Sequence, residues 1–134
     1  FPRAKGSGRK RVMIVDDAPD ALALMEKVLA DEGFELVKVS NATEVSLKAA
    51  QLNPDLILLD FLMPELNGFD VCKALRANEQ TRNTPIMAVT CLTKERDIER
   101  IFACGADEYL AKPFKVDQLL EKVRELIGRG RTAE

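Results

Sequence analysis

Apolar positions along the chain follow two rhythms. Val12 to Val15, Leu56 to Leu59 and Pro85 to Val89 are short unbroken runs, the mark of strands covered on both faces. Elsewhere the spacing is helical: Leu22, Met25 and Leu29, then Ile98, Ile101 and Phe102, then Val116, Leu119, Leu120, Val123 and Ile127 each place an apolar stripe on one side of a helix. Boundary signals complete the pattern. Arg11 to Val15 reads as a strand, Asp16-Asp17 follows, and Pro19 suits a first helical turn that runs on to a stop at Gly33. Glu35 to Val39 mixes charge with β-branched residues, as an edge strand does. Asn41 with Glu44 reads as a capping box opening a helix that Asn53-Pro54 closes. After the third strand, Leu56 to Leu59, a Pro-containing loop from Met63 to Gly68 leads into a helix through Ala77. The fourth strand ends at Thr90, a helix follows until Gly105, Glu108 to Ala111 forms a short fifth strand, and Gly128 stops the last helix.

Five strands alternating with five helices predict an α/β protein with a doubly wound, five-stranded parallel sheet and helices on both faces. The apolar first, third and fourth strands belong in the centre and the mixed second and short fifth at the edges, which is the flavodoxin-like order 2-1-3-4-5. Parallel strands deliver their C-terminal ends to one rim. Asp16, Asp17, Asp60 and Thr90 therefore gather there, with Lys112 just past the fifth strand.

Composition narrows the chemistry by exclusion. The 134 residues suffice for one domain, and 46% hydrophobic, 31% charged residues with a net charge of -2 give no general attraction to nucleic acid or membrane. No apolar run approaches a membrane span and the start of the chain lacks a signal-peptide pattern, so a cytoplasmic protein is expected. Cys72, Cys91 and Cys104 form no C-x-x-C pair, and histidine is absent, which disfavours a disulfide framework or zinc site and excludes histidine catalysis. Phe69, Cys72 and Cys104 are expected as core contacts of the third and fourth helices.

Three carboxylates at one rim repel one another, and a bound cation relieves them. Oxygen ligands without nitrogen or thiolate suit Mg²⁺, which is typically held by one or two carboxylates and a phosphate oxygen. Asp60, at the end of a central strand, is then the natural nucleophile of a phosphoryl transfer, with the Thr90 hydroxyl and the Lys112 ammonium to orient and neutralise the transferred group. Taken singly, Asp16-Asp17 also reads as a capping turn, Thr90 as a strand-end hydroxyl and Lys112 as an exposed lysine beside a turn.

The paired acids Asp16-Asp17, the D-x-x-M-P-x-x-x-G run from Asp60 to Gly68, Thr90 and Lys112-Pro113 together resemble the receiver domains of two-component response regulators, chemotaxis regulators among them. The resemblance covers about Arg11 to Ile127, and the intervals between the motif residues keep the family's register. It implies phosphorylation of Asp60 by a histidine kinase or histidine phosphotransfer protein, and Mg²⁺ held by Asp16, Asp17, Asp60 and the backbone carbonyl of Leu62. It implies that Thr90 and Tyr109 switch together, with Tyr109 moving inward, to reshape the face of the fourth helix, fifth strand and fifth helix. It further implies that Lys112 pairs with the phosphoryl group and that its bond to Pro113 is cis. Such a protein is a regulatory phosphoacceptor rather than an enzyme on external substrates, monomeric or dimerising on phosphorylation, and acts on an unknown effector or linked output domain without binding nucleic acid itself.

Two departures touch the site: Cys91 follows Thr90, where Ala or Gly is frequent, and Leu62 and Leu92 stand two beyond Asp60 and Thr90. Neither leucine can orient a water. The alternatives are a haloacid-dehalogenase-like phosphatase, which wants an acid where Leu62 stands; a nucleotide or flavin module, which wants a Gly-rich phosphate loop; and a receiver-like module that works without phosphate. Residues 1–10, with Arg3, Lys5, Arg9 and Lys10, read as a basic linker rather than a nucleic-acid arm, 11–128 as the receiver domain, and 129–134 as a tail. The linker-like ends lean toward a domain taken from a larger protein.

Overall fold

The computed structural model describes residues 9–63 and 66–129. In chain order the elements are β1 (Arg11–Val15), α1 (Pro19–Asp31), β2 (Glu35–Val39), a 3₁₀ turn (Ala42–Glu44), α2 (Val45–Leu52), β3 (Leu56–Leu59), β4 (Leu62–Met63), β5 (Leu66–Asn67), α3 (Gly68–Ala77), β6 (Ile86–Thr90), α4 (Glu95–Ala103), β7 (Glu108–Ala111) and α5 (Val116–Arg129). The main sheet is β2-β1-β3-β6-β7, parallel throughout. Counting its own strands alone, that is the expected order 2-1-3-4-5.

The period of two along each strand decides what each helix packs against. Val12, Ile14, Leu56, Leu58, Met87 and Val89 meet Met25 and Leu29 of α1 and Leu119, Val123 and Leu126 of α5. Met13, Val15, Ile57, Leu59, Ile86 and Ala88 meet Val45 and Ala49 of α2, Cys72 and Leu75 of α3 and Ile101 of α4. Phe69, Cys72 and Cys104 lie buried in this second cluster, as expected. Burying a side chain of this kind fully is worth roughly 2 kcal/mol. With both faces covered, polar groups of the central strands emerge at the strand ends.

Several local readings need correction. Asn41 and Glu44 do not form a reciprocal cap: Asn41 Oδ1 accepts from the Thr43 backbone and hydroxyl at 3.0 and 2.8 Å, while Glu44 pairs with Lys48 at 3.1 Å. A short Asx-type turn thus satisfies the backbone first, and α2 begins only at Val45. The loop after β3 contains the antiparallel pair of β4 and β5, and Asn67 caps α3 by accepting from Phe69 N at 2.9 Å. On α4, Ile101 is buried but Phe102, one residue and about 100° further round the helix, is 42% exposed. α5 runs through Gly128 to Arg129, with Arg129 and Glu125 paired one turn apart at 3.7 Å, and Val116 faces solvent while Leu126 takes the buried place. The expected leader and tail fall largely on residues 1–8 and 130–134, outside the described residues. Arg9 donates to the Gly33 and Phe34 carbonyls, each at 3.2 Å, and the Lys10 carbonyl accepts from Glu35 N at 2.8 Å.

Gly68 explains why the turn after Asp60 admits no side chain: a Cβ there would lie 2.4 Å from Phe61 Cα. Around Gly128 nothing lies within 4 Å. Gly68→Ala is therefore expected to destabilise the fold by about 1–3 kcal/mol through forced backbone movement, and Gly128→Ala to stabilise it by up to about 1 kcal/mol through helix propensity. Urea unfolding of the two variants beside the parent chain measures both; equal midpoints for the two variants would contradict the packing described.

Candidate functional site

Each functional side chain is set at the rim by a strand end and a short turn. Asp16 follows β1; its N–H donates to the Val39 carbonyl at 3.2 Å, and its Oδ1 accepts from Ala18 N at 2.9 Å as α1 opens. Asp60 follows β3 in the same way. Its N–H donates to the Val15 carbonyl at 3.0 Å, and its Oδ1 accepts from Leu62 N at 2.9 Å. Both aspartates are buried, whereas Asp17 is exposed at the mouth. One oxygen of Asp16, Asp17 and Asp60 each lies within 4.8 Å of the others.

Lys112 reaches across this cluster from the end of β7. Its Nζ donates to Asp16 Oδ2 at 2.5 Å and to Asp60 Oδ2 at 3.0 Å. Each buried carboxylate thus has one oxygen fixed by a local N–H and the other by the shared ammonium. Burial works against the charge on Lys112, but hydrogen bonds and attraction from Asp16 and Asp60 outweigh it and raise the pKa above that of an ordinary lysine. A pKa raised on folding stabilises below the unfolded-state value and loses that contribution as pH climbs through the folded one. The pairing is therefore in force at neutral pH. Two like charges 4 Å apart repel by about 4 kcal/mol at an effective dielectric constant of 20, and one ammonium leaves three carboxylates with an excess of negative charge. The remaining oxygen donors suit a hard divalent cation.

Thr90 closes the floor. It is wholly buried, its carbonyl accepts from Lys112 N at 2.9 Å, and its Oγ1 faces Leu92 N at 3.4 Å. Tyr109 lies half-buried against the core beside Leu92, and its hydroxyl donates to the Leu92 carbonyl at 2.6 Å. Burial and then the neighbouring Cys91 raise its pKa. Thr90 and Tyr109 thus hold the two ends of one loop residue. Sequence patterning missed this part of Leu92 because its contribution is a backbone carbonyl. Leu92 is a loop anchor packed on the core, while Leu62 is 58% exposed. The Lys112-Pro113 bond is cis.

Comparison with known proteins identifies the family. The family model described as response regulator receiver domain matches residues 12–124. This chain belongs to the response regulator receiver domain family. Among curated relatives, the receiver is 38% identical to the DNA-binding dual master transcriptional regulator RpaA of Synechocystis over 89% of this chain and 49% of that protein. It is 34% identical to the polar-differentiation response regulator DivK of Brucella anthropi over 89% of this chain and 97% of that one. The chain spans about half the length of RpaA and of the DNA-binding MtrA regulators it also matches. Among solved structures, it superposes with a TM-score of 0.83 and 30% identity on the receiver domain of a Pseudomonas aeruginosa PAO1 sensor histidine kinase, over 90% of this chain and 99% of that one. That structure has a magnesium ion coordinated in its active site cleft. Chemotaxis protein CheY4 of Vibrio cholerae gives a TM-score of 0.83 at 30% identity over 88% and 98% of the two chains. Among the described residues of the receiver no helix is long and apolar enough to cross a membrane.

Removing Lys112 leaves two buried like charges facing each other. Without divalent metal, Lys112→Met is expected to lose about 3 kcal/mol of stability, the low end for breaking a buried ion pair because the rim meets water. Added Mg²⁺ should restore more stability to the variant than to the parent. Thermal unfolding with and without Mg²⁺ measures it, and an unchanged variant midpoint in metal-free buffer would contradict the pairing.

Proposed function

We propose that this receiver accepts a phosphoryl group on Asp60 from the phosphohistidine of a histidine kinase or histidine phosphotransfer protein, in a Mg²⁺-dependent reaction. The observation that carries the reading is the convergence of Asp16, Asp17 and Asp60 under the Lys112 ammonium. Asp16, Asp17, Asp60 and the Leu62 carbonyl would hold the cation, which when bound offsets negative charge on the carboxylates and the incoming phosphoryl oxygens. An oxygen of Asp60 attacks phosphorus as the P–N bond breaks, and the electron pair leaves on the donor imidazole, which takes up a proton. Local N–H groups hold Asp16 and Asp60 in fixed rotamers, so little reorganisation precedes the attack. Lys112 exchanges a carboxylate partner for a phosphoryl oxygen. Leu62, in place of an acid, leaves no general acid there for hydrolysing external phosphoesters, which fits a regulatory phosphoacceptor better than a phosphatase.

The new dianion is the differential interaction that a two-state change requires. The Thr90 hydroxyl, at the end of the neighbouring strand β6, is a neutral donor on the same rim. A pull on Thr90 reaches Leu92, which also carries Tyr109, and through them the face of α4, β7 and α5. That face would control a partner or a linked output domain, with the receiver a monomer or a phosphorylation-dependent dimer in the cytoplasm. Relatives matched over half their length and over nearly all of it accommodate either a linked or a free-standing receiver.

The test is intact-mass spectrometry after treatment with acetyl phosphate, a small phosphodonor. The parent chain is expected to gain one phosphoryl group with Mg²⁺ and none with a chelator, and Asp60→Asn to gain none under either condition. Full labelling of Asp60→Asn would overturn the assignment.

A further inference from the structure

Two of the three thiols meet inside the molecule. Cys72 on α3 is wholly buried and Cys104, which caps α4, nearly so, whereas Cys91 is exposed on the loop after β6. Cys72 Sγ–H donates to the Cys104 carbonyl at 3.4 Å, and Cys104 Sγ–H donates to the Ile101 carbonyl at 3.2 Å, so the two thiols are neighbours in one buried cluster. Cys104 lines a cavity of about 310 Å³ between α3 and α4, together with Phe69, Lys73, Arg100 and Ala103. The Arg100 guanidinium carbon sits 4.1 Å from the Phe69 ring centroid, which holds one cation over this cavity, and Lys73 brings a second.

We propose that Cys104 and Cys72 are a hydroperoxide-sensitive thiol pair, which closes to a disulfide and fastens α3 to the end of α4. Position divides the roles: Cys104 lines the cavity beside Lys73 and Arg100, where a peroxide can enter, whereas Cys72 is wholly buried and does not line it. The neighbouring Cys72 thiol, then Lys73 and Arg100, lower the pKa of Cys104 despite its burial, and the thiolate is the form that attacks peroxides. Cys72, whose proton that contact and burial hold in place, is pushed up and serves as the resolving thiol. In the first step the Cys104 thiolate attacks one peroxide oxygen, the O–O bond breaks, sulfur is oxidised to sulfenic acid, and the departing oxygen takes a proton to leave as water or alcohol. In the second, Cys72 sulfur attacks Cys104 sulfur, the S–S bond forms as S–O breaks, and the hydroxide leaves as water with the Cys72 proton. Two thiols are oxidised and one hydroperoxide is reduced. A cellular dithiol would reverse the bond.

The consequence lies in α4, one wall of the face assigned above to signalling. A covalent tie from its end to α3 restrains that wall, so oxidant and phosphoryl group would act on one element. The chemistry itself needs neither Mg²⁺ nor phosphodonor, so its test stands apart from that of phosphorylation.

The experiment uses the full chain carrying Cys91→Ser, which removes the exposed thiol and leaves the pair intact. After brief treatment with hydrogen peroxide, the intact mass should fall by two hydrogen atoms, free thiols should drop from two to none, and peptide mapping should join Cys72 to Cys104. Dithiothreitol should restore both thiols. With Cys72→Ser added, oxidation should stop at a Cys104 sulfenic acid that dimedone traps. The proposal is overturned if both thiols stay alkylatable after treatment, or if Cys104 gains oxygen in the Cys91→Ser chain while Cys72 remains free.

Discussion

The structure turns on one constraint: acidic side chains are placed where buried strands run out, and their mutual repulsion must be answered locally. Asp16 and Asp60 occupy adjacent positions because β1 and β3 are neighbours in register, and both are screened from water on the core side. A Lys112 ammonium answers part of this charge from the end of β7, two strands away from β3. The strand order is thus part of the electrostatics. Any order that separated β1 from β3 would disperse the carboxylates, and any that removed β7 from that edge would take the ammonium out of reach.

Two sets of contacts lead from this rim toward α4. One runs through backbone and hydroxyl groups, from Thr90 to Leu92 to Tyr109. The other runs through rings: Phe61, next to Asp60, meets Phe69 edge to face with centroids 5.1 Å apart, and Phe69 lies beneath Arg100 of α4. Gly68 keeps this second set tight, since its missing side chain lets Phe61 approach the start of α3. The network of Arg76, which bonds the Gly105, Arg82 and Thr84 carbonyls and Asp107, pins the far ends of α3 and α4 together.

Much of this was legible in the sequence because strands covered on both faces are written as continuous apolar runs. Val12 to Val15, Leu56 to Leu59 and the run ending at Thr90 have no alternative reading once helices alternate with them, and the strand ends then bring Asp16, Asp17, Asp60, Thr90 and Lys112 together. Helix ends were less legible. Asn41 and Glu44 matched a capping pattern, but a nearer hydroxyl, Thr43, took the Asn41 side chain. Gly128 looked like a stop, yet the pairing of Arg129 with Glu125 and the burial of Leu126 carry the helix past it. Phe102 was placed by hydrophobicity on a face that its angular position denies it. The Cys72–Cys104 contact joins residues on two different helices, and no local pattern encodes it. The same holds for the Leu92 carbonyl, since backbone acceptors leave no mark in a sequence.

The rim carries more negative charge than Lys112 balances, and we propose that it takes a divalent cation through Asp17 as well as the buried pair. Calorimetric titration with Mg²⁺ at fixed ionic strength tests it most directly, comparing the parent chain with Asp17→Asn, whose exposed side chain can be changed without disturbing the core. One Mg²⁺ per parent chain is expected, with affinity falling at least about tenfold in the variant, equivalent to ~1.4 kcal/mol. Equal affinity for the two chains, or no saturable binding to the parent, would contradict the account.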